Sequence, residues 1–136
     1  MSKRNLNILL SISALVIGGL IYILFRDNSY IAILFNHIPI IQYIRQHVTT
    51  LRVHFIKFYL PDLLWGFSLC SGLHAIYLPN AKTSVLCGIT AFSCGAIWEI
   101  MQYMGILSGT GDLLDVLMYL FGCLVCIIIN LRRDIK

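Results

Sequence analysis

The sequence predicts an all-α integral membrane protein, a helical bundle of about four transmembrane helices with an additional interfacial amphipathic helix. The 136-residue chain is 59% hydrophobic, has a mean hydropathy of +0.85 and contains only 12% charged residues. Soluble domains typically carry about 25% charged residues, so the chain is too apolar for an ordinary soluble fold. Helices are required because lipid offers no hydrogen-bond partners to the backbone, and each span must satisfy its own.

Four apolar stretches approach the roughly 20 residues that cross a bilayer as a helix. They cover residues 6–25, 59–78, 83–104 and 113–131, within a single membrane domain, 1–136. The first follows Lys3 and Arg4 and lacks a small-residue cleavage site after it, which favours an uncleaved signal anchor. Ala14 and Gly18 give this span a small-xxx-small step, which allows another helix to approach closely.

Residues 28–58 are interrupted by polar and basic side chains and are not expected to cross the membrane. An interfacial helix fits this segment better, because apolar residues recur in it at helical spacing. These residues are Ile40, Ile41, Ile44 and Val48. Pro39 is expected at an early helical position or at a break.

Charge distribution predicts the orientation of the spans. Pro79 and Asn80 form a tight connection, so the second and third spans make an antiparallel hairpin with Lys82 beside the turn. Both terminal segments are basic and fall on the same side as Lys82. Short basic segments favour the cytoplasmic side, which predicts a multi-pass protein of the cell membrane with both termini in the cytoplasm.

The five cysteines all lie in apolar stretches, where a cysteine behaves as a small hydrophobic residue. Cys123 and Cys126 form a C-x-x-C pair without a second ligand pair, so packing is favoured over a metal site. His74 is isolated in the sequence and is expected toward the end of its span opposite Asp62. No disulfide framework, cysteine or histidine metal site or nucleic-acid-binding motif is predicted.

Four acidic residues touch the predicted spans: Asp62, Glu99, Asp112 and Asp115. An ionised carboxylate in the bilayer costs at least a few kcal/mol, so such groups usually face a bundle interior, a water-filled pocket or the interface. Asp62 opens the second span, Glu99 lies near the end of the third, and the other two open the fourth. Because the spans alternate in direction, all four carboxyl groups are expected at the outer end of the bundle.

Helical phase extends this acidic group with polar and aromatic neighbours. Residues three or four positions apart share a helix face. This spacing relates Glu99 to Gln102 and Tyr103, Asp112 and Asp115 to Tyr119 and Gly122, and Asp62 to Trp65. Three polar faces are therefore expected to meet at one depth, with Gly122 permitting close approach of the helices.

Structural alternatives remain for these residues. Asp112 or Thr110 could cap the last helix, since a side-chain oxygen there can accept from unpaired amide groups. Glu99 could be a neutral acid hydrogen-bonded to Gln102 or Tyr119. For Asp62 the alternative is an interfacial cap, and for Trp65 it is membership of the aromatic belt at the membrane surface.

Three motifs resemble the VanZ-like family of small bacterial membrane proteins. They are Tyr-Leu-Pro-Asp-Leu-Leu-Trp at 59–65, Trp-Glu-x-x-Gln at 98–102 and Gly-Thr-Gly-Asp-x-x-Asp at 109–115, followed by Tyr119 and Gly122. The chain resembles a divergent member, with Tyr119 where many relatives carry Asn. The resemblance implies a bacterial cell-envelope setting, a single acidic site and a link, in the name-giving branch, to resistance against the glycopeptide teicoplanin.

The favoured functional hypothesis is binding or handling of a lipid-linked or glycolipid headgroup at an outward-facing acidic site. Arg45, Arg52 and Lys57 could attract phosphate, although ordinary contact with anionic lipids is the simpler interpretation. The acidic side chains could accept sugar hydroxyls or hold a divalent cation. The predicted ligand-binding residues are Asp62, Trp65, Glu99, Gln102, Asp112, Asp115, Tyr119 and Arg52.

Two other hypotheses remain open. An intramembrane enzyme acting on an envelope lipid would use Glu99 as its acid or base and the aspartates to hold a metal, which makes Glu99 and Asp115 the candidate catalytic residues, because paired carboxyl groups in unequal environments support proton transfer. A subunit of a small transporter complex would need a second copy or a membrane partner, because four spans are few for a monomeric transporter. Membrane lipids are the expected partners in every case, and nucleic acid in none.

Overall fold

The computed structural model describes residues 2–25, 34–35, 37–48, 54–78 and 80–134, and all regular secondary structure in these residues is helical. The helices are α1 (Lys3–Phe25), α2 (Pro39–Val48), α3 (His54–Phe58), α4 (Leu60–Tyr77), α5 (Ala81–Tyr103) and α6 (Leu113–Asp134). The predicted all-α fold class is confirmed. Arg52 and Pro79, named above from the sequence, lie outside the described residues.

Among the described residues, three helices are long and apolar enough to cross a membrane: Lys3–Phe25, Ala81–Tyr103 and Leu113–Arg132. They coincide with the first, third and fourth predicted spans and indicate a membrane protein. The second predicted span forms α4, which has 18 residues. Its aspartate, serines and histidine lower its hydropathy, so composition alone does not mark α4 as membrane-crossing.

Helix α4 occupies the centre of the bundle, in contact with α1, α5 and α6. Its polar side chains Asp62, Ser68, Ser71 and His74 are all buried. A helix enclosed by other helices can carry polar residues on several faces, provided that those residues find partners inside the bundle. The position of α4 therefore explains why its sequence is less apolar than those of its neighbours.

Helix α1 packs on α4 through a narrow face of small residues. Asn7, Ala14, Gly18 and Ile21 are buried and recur at helical spacing. A Cβ atom added to Gly18 would lie 3.7 Å from the Leu64 Cβ, in ordinary van der Waals contact. The Ala14 and Gly18 step therefore lies on the buried face of α1, where an added methyl group at Gly18 would still fit against α4.

Polar side chains fix how the helices align. The Ser68 hydroxyl donates to the Ser11 carbonyl oxygen at 2.8 Å, which joins α4 to α1. The Asn7 side-chain amide donates to the Asn130 Oδ1 atom at 2.9 Å, which joins α1 to α6. Interhelical hydrogen bonds of this kind stabilise membrane bundles and specify their alignment.

Helices α4 and α6 cross at very close range through two glycines. A Cβ atom added to Gly66 would lie 2.6 Å from the Tyr119 carbonyl oxygen. One added to Gly122 would collide with the Leu63 carbonyl oxygen and lie 2.8 Å from the Phe67 amide nitrogen. Only residues without a side chain allow the two backbones to approach this closely, as predicted for Gly122.

The hairpin between α4 and α5 is tightly built. Leu78 ends α4 with a positive φ of 44°, and its amide donates to the His74 carbonyl oxygen. The Asn80 side chain then caps α5 by accepting from the Thr83 amide at 3.0 Å. Helix α5 consequently runs antiparallel to α4, as expected from the sequence.

Helix α2 begins at Pro39, at the early helical position expected for it, and contacts α1. Arg45 is only 7% exposed, and its Nε donates to the Ile23 carbonyl oxygen at 2.7 Å. A cation at the C-terminal end of a helix satisfies unpaired carbonyl groups and interacts favourably with the helix dipole. Arg45 therefore joins α2 to the last turn of α1.

Candidate functional site

A cavity of about 340 Å³, here called the polar cavity, lies at the end of the bundle where α1 and α5 finish and α4 and α6 begin. Its lining residues come from the four long helices α1, α4, α5 and α6, from the short α3 and from the connection between α5 and α6. They are Tyr22, Phe58, Tyr59, Asp62, Trp98, Glu99, Gln102, Gly109, Thr110, Asp112, Asp115 and Tyr119. The four acidic residues that the sequence predicted to converge therefore line one cavity.

Side-chain hydrogen bonds help to hold the α5–α6 connection against the end of α5. The Asp112 amide donates to Glu99 Oε2 at 3.2 Å, and the Gln102 side-chain amide donates to the Ser108 carbonyl oxygen at 3.2 Å. Glu99 is 5% exposed, so its carboxyl group lies inside the protein at the wall of the cavity. These contacts position Glu99 and Gln102 from one helix beside the start of the next.

Asp112 caps α6. Its Oδ1 atom accepts from the Leu114 amide at 3.0 Å, and the helix begins at Leu113. This is the capping interaction left open by the sequence, and it satisfies an otherwise unpaired amide of the first turn. The Asp112 side chain is exposed and also lines the polar cavity.

Asp62 and Tyr119 join α4 to α6 across the floor of the cavity. The Tyr119 hydroxyl donates to Asp62 Oδ1 at 3.1 Å, and Asp62 is only 4% exposed. Asp62 is therefore a buried acceptor on the cavity wall rather than a surface residue at the membrane interface. The Tyr119 ring lies directly under Gly95 of α5, where a Cβ atom would fall 2.8 Å from the ring carbons Cδ1 and Cδ2.

A second cavity, about 580 Å³ and here called the apolar cavity, adjoins the polar cavity. It is lined by Leu15, Gly19, Tyr22, Trp65, Gly66, Leu69, Ala91, Cys94, Gly95, Trp98 and Tyr119. Three of these, Tyr22, Trp98 and Tyr119, also line the polar cavity, so the two spaces meet at a boundary of aromatic residues. Trp65, predicted beside the acids, lies in the apolar cavity and is 48% exposed.

The apolar cavity occupies a cleft between α1 and α5. Both helices contact α4, but across the described residues they make no close contact with each other. Residues of α4 form the floor of the cleft and the two helices form its walls. The cleft is thus positioned for a long apolar group to lie along the bundle.

The lining of the polar cavity has a distinct chemistry. Among the residues that the structure describes, it contains four carboxyl groups, one carboxamide, one threonine hydroxyl and three tyrosines, and no basic side chain. Carboxylate and amide oxygens accept hydrogen bonds from hydroxyl and ammonium groups, and carboxylates bind hard cations. The described lining of the cavity therefore suits a hydroxyl-rich or cationic group.

Of the basic residues considered for phosphate, the structure describes Arg45 and Lys57. Arg45 is buried against the last turn of α1, and neither it nor Lys57 lines either cavity. Arg52, the remaining predicted ligand-binding residue, lies outside the described residues. The Arg45 Nε is engaged with the end of α1, and a phosphate role for this residue stays a prediction.

Tyr22 and Tyr59 were not predicted as site residues. Tyr22 lies in the last turn of α1, at the same end of the bundle as the acidic residues. Its depth could have been calculated from the span boundaries, but the side of α1 that faces the cavity depends on helix packing. Tyr59 was part of a recognised motif and directly precedes α4.

Comparisons with known proteins give no match: no family model, no curated protein and no solved structure matches the chain.

Proposed function

We propose that the protein binds an envelope lipid with a hydroxyl-rich headgroup, such as a glycolipid or a lipid-linked sugar, at the outer leaflet. The observation that carries this proposal is the junction of an acidic polar cavity with an apolar cavity through a shared aromatic boundary. A lipid likewise joins a polar headgroup to apolar hydrocarbon chains. Its headgroup would enter the polar cavity, and one hydrocarbon chain would lie in the cleft between α1 and α5.

Headgroup recognition would depend on the carboxyl groups of Glu99, Asp115 and Asp62. Glu99 and Asp62 are buried and held by hydrogen bonds to the protein, so their positions are fixed before a ligand arrives. Preorganised acceptors lose little conformational freedom on binding. Sugar hydroxyls would donate to them, and the three lining tyrosines supply flat surfaces and hydroxyl groups beside the acids.

The proposal includes four membrane spans, with α4 as the second. An 18-residue helix is about 27 Å long, close to the roughly 30 Å hydrocarbon core of a bilayer. Enclosure by α1, α5 and α6 would remove the need for an apolar surface on every side of α4. Helix α2, with Ile40 and Ile44 exposed, would lie in the membrane interface with both chain termini in the cytoplasm.

The motifs around Asp62, Glu99 and Asp115 support a place in the VanZ-like family as part of this proposal. Residues from all three motifs line the polar cavity, so they belong to a single region in space. A role in glycopeptide resistance would follow only if the bound lipid carried a peptidoglycan precursor. The experiment must therefore identify the lipid that is bound.

The test is native mass spectrometry of the full chain purified with its lipids in nanodiscs. We expect Asp115→Asn to reduce the amount of bound hydroxyl-rich lipid by about fivefold or more, since a lost hydrogen bond to a charged group is worth at least about 1 kcal/mol. Asp134→Asn is the matched control, because Asp134 is the last residue of the same helix, far from the cavity. Equal lipid content in the two variants would contradict headgroup binding by the acids.

A second variant tests the apolar cavity separately. A Cβ atom on Gly19 would have no heavy atom within 4 Å, and Gly19 lines the apolar cavity. Gly19→Phe should therefore place a ring in the cleft and displace the lipid chain while leaving the acidic residues intact. Unchanged lipid content in Gly19→Phe would show that no hydrocarbon chain lies in this cleft.

A further inference from the structure

Outside the two cavities, a cluster of sulfur and nitrogen atoms that could bind a metal ion lies between α4 and α6. Cys70, His74 and Cys126 bring two Sγ atoms and an imidazole nitrogen within 4.8 Å of one another. Both cysteines are 0% exposed and His74 is 1% exposed. The sequence alone did not reveal this cluster, because Cys70 and His74 lie on α4 and Cys126 lies on α6.

We propose that Cys70, His74 and Cys126 form a structural site for a thiophilic divalent cation, with Zn²⁺ as the ion. Two cysteines and one histidine are a known zinc donor set. The ion would join α4 to α6 in the half of the bundle away from the polar cavity. This assignment is independent of lipid binding, since no ligand of the cluster lines either cavity.

The two distances from the imidazole nitrogen to the sulfur atoms are close to those of tetrahedral coordination. Zinc bonds of about 2.3 Å to sulfur and about 2.0 Å to nitrogen place the N and S ligand atoms about 3.6 Å apart. The His74 Nδ1 atom lies 3.7 Å from Cys70 Sγ and 3.8 Å from Cys126 Sγ. The two sulfur atoms lie within 4.8 Å of each other, and binding would require the His74 ring to turn its Nδ1 atom from the Cys70 carbonyl oxygen toward the ion.

Charge balance favours a divalent ion at this depth. The Cys70 and Cys126 thiols would each release a proton, and two thiolates with one neutral imidazole cancel the charge of Zn²⁺. A neutral site avoids the large cost of burying net charge in the bilayer. The Ser71 hydroxyl, 3.3 Å from Cys126 Sγ, offers an uncharged fourth donor.

Ser84 of α5 is placed to orient the histidine. His74 Nδ1 lies 2.8 Å from the Cys70 carbonyl oxygen, which can only accept, so Nδ1 carries the proton and Ser84 donates to Nε2 at 2.7 Å. Metal binding at Nδ1 would move that proton to Nε2, which would then donate to the Ser84 hydroxyl oxygen. Metal-bound histidines almost always make such a second hydrogen bond.

The experiment measures zinc bound by the full chain, purified in detergent under reducing conditions, stripped with a chelator and reloaded with Zn²⁺. We expect about one ion per chain for the wild type, and at least tenfold weaker retention against a chelator for Cys126→Ser and Cys70→Ser. Cys87→Ser is the matched control, because Cys87 is buried but outside the cluster. Ser84→Ala should keep the stoichiometry and weaken affinity by about 10-fold to 100-fold.

X-ray absorption on the zinc-loaded wild type needs no variant and so does not depend on the folding of a mutant. A shell of sulfur at about 2.3 Å with nitrogen or oxygen at about 2.0 Å would support the site. A wild type that retains less than about a tenth of an ion per chain would overturn it. So would a Cys126→Ser protein that binds zinc as tightly as the Cys87→Ser control.

Discussion

Tyr119 is the residue on which both cavities depend. Its hydroxyl donates to Asp62 in the polar cavity, and its ring lies under Gly95 at the boundary with the apolar cavity. A buried carboxyl group that loses a hydrogen-bond donor is left with an unmet desolvation penalty. The Tyr119 hydroxyl should therefore stabilise the protein as well as shape the site.

Tyr119→Phe is expected to lower the free energy of unfolding by about 1–3 kcal/mol, because it removes only the hydroxyl that donates to buried Asp62. Thermal unfolding followed by tryptophan fluorescence in detergent measures the change. Tyr103→Phe is the control, since Tyr103 is 83% exposed, and should change stability by no more than about 0.5 kcal/mol. Equal shifts for the two variants would mean that the Asp62 contact contributes nothing.

For individual residues, the sequence predicted which ones lie in the same region but not which ones form hydrogen bonds with each other. The three- and four-residue spacing put Asp112, Asp115 and Tyr119 on one face, and the structure places all three at the polar cavity. The partner of Tyr119 is Asp62, on a helix far away in the sequence. Such pairing depends on the rotation of each helix about its axis, which side-chain packing between helices determines.

His74 also has neighbours from other helices that the sequence does not predict. Its spacing of four from Cys70 was visible in the sequence, and it did place both residues on one face of α4. The neighbouring Cys126 and Ser84 come from two other helices. Their approach follows from the close crossing of α4 with α6 and from the hairpin to α5.

Among the elements, the crossing of α4 and α6 is the most sensitive to side-chain volume. Gly66 and Gly122 face backbone atoms of the opposite helix, which cannot rotate away as a flexible side chain can. An added methyl group must therefore push the helices apart. Overpacking of this kind typically costs about 1–3 kcal/mol.

Gly122→Ala is expected to destabilise the protein by about 1–3 kcal/mol and to weaken any function that needs the polar cavity, because separation of α4 and α6 moves Asp62 from Tyr119. Gly19→Ala is the control, with no heavy atom within 4 Å of the added Cβ. It should be neutral or stabilising by up to about 1 kcal/mol, because alanine favours a helix over glycine. A Gly122→Ala protein as stable as Gly19→Ala would show that the crossing is looser than described.

The helices themselves were largely predictable, since periodic apolar stretches and caps define them locally. The first, third and fourth spans match α1, α5 and α6 to within a few residues at each end. The central position of α4 was not predictable from its own sequence. Its buried polar residues have the composition of a less apolar helix, and only contact with three neighbours explains them.

For the molecule as a whole, chain order alone predicted the gathering of the acidic residues. Alternating helix directions bring the start of α4, the end of α5 and the start of α6 to one end of the bundle, and the polar cavity lies there. The apolar cavity was not predicted, because it arises from the separation of α1 from α5. A space between helices has no signature in the sequence of either helix.

Opposite ends of α4 should lie on opposite sides of the membrane. The test uses single cysteines at Lys57, just before α4, at Lys82, beside the hairpin, and at Thr110, in the α5–α6 connection. Cys94→Ser provides the background, since Cys94 is exposed and the other four cysteines are buried. A membrane-impermeant maleimide is added to sealed, right-side-out vesicles before and after permeabilisation.

The expected pattern is immediate labelling of Lys57→Cys and Thr110→Cys, with Lys82→Cys labelled only after permeabilisation. Thr110 and Lys82 lie near opposite ends of α5, a helix apolar enough to span, so their difference calibrates the assay. If Lys57→Cys behaved like Lys82→Cys, α4 would not cross the membrane, and the polar cavity could not open to the outer leaflet together with Asp62. The fully reversed pattern would keep four spans but turn the cavity toward the cytoplasm, where an outer-leaflet lipid could not reach it.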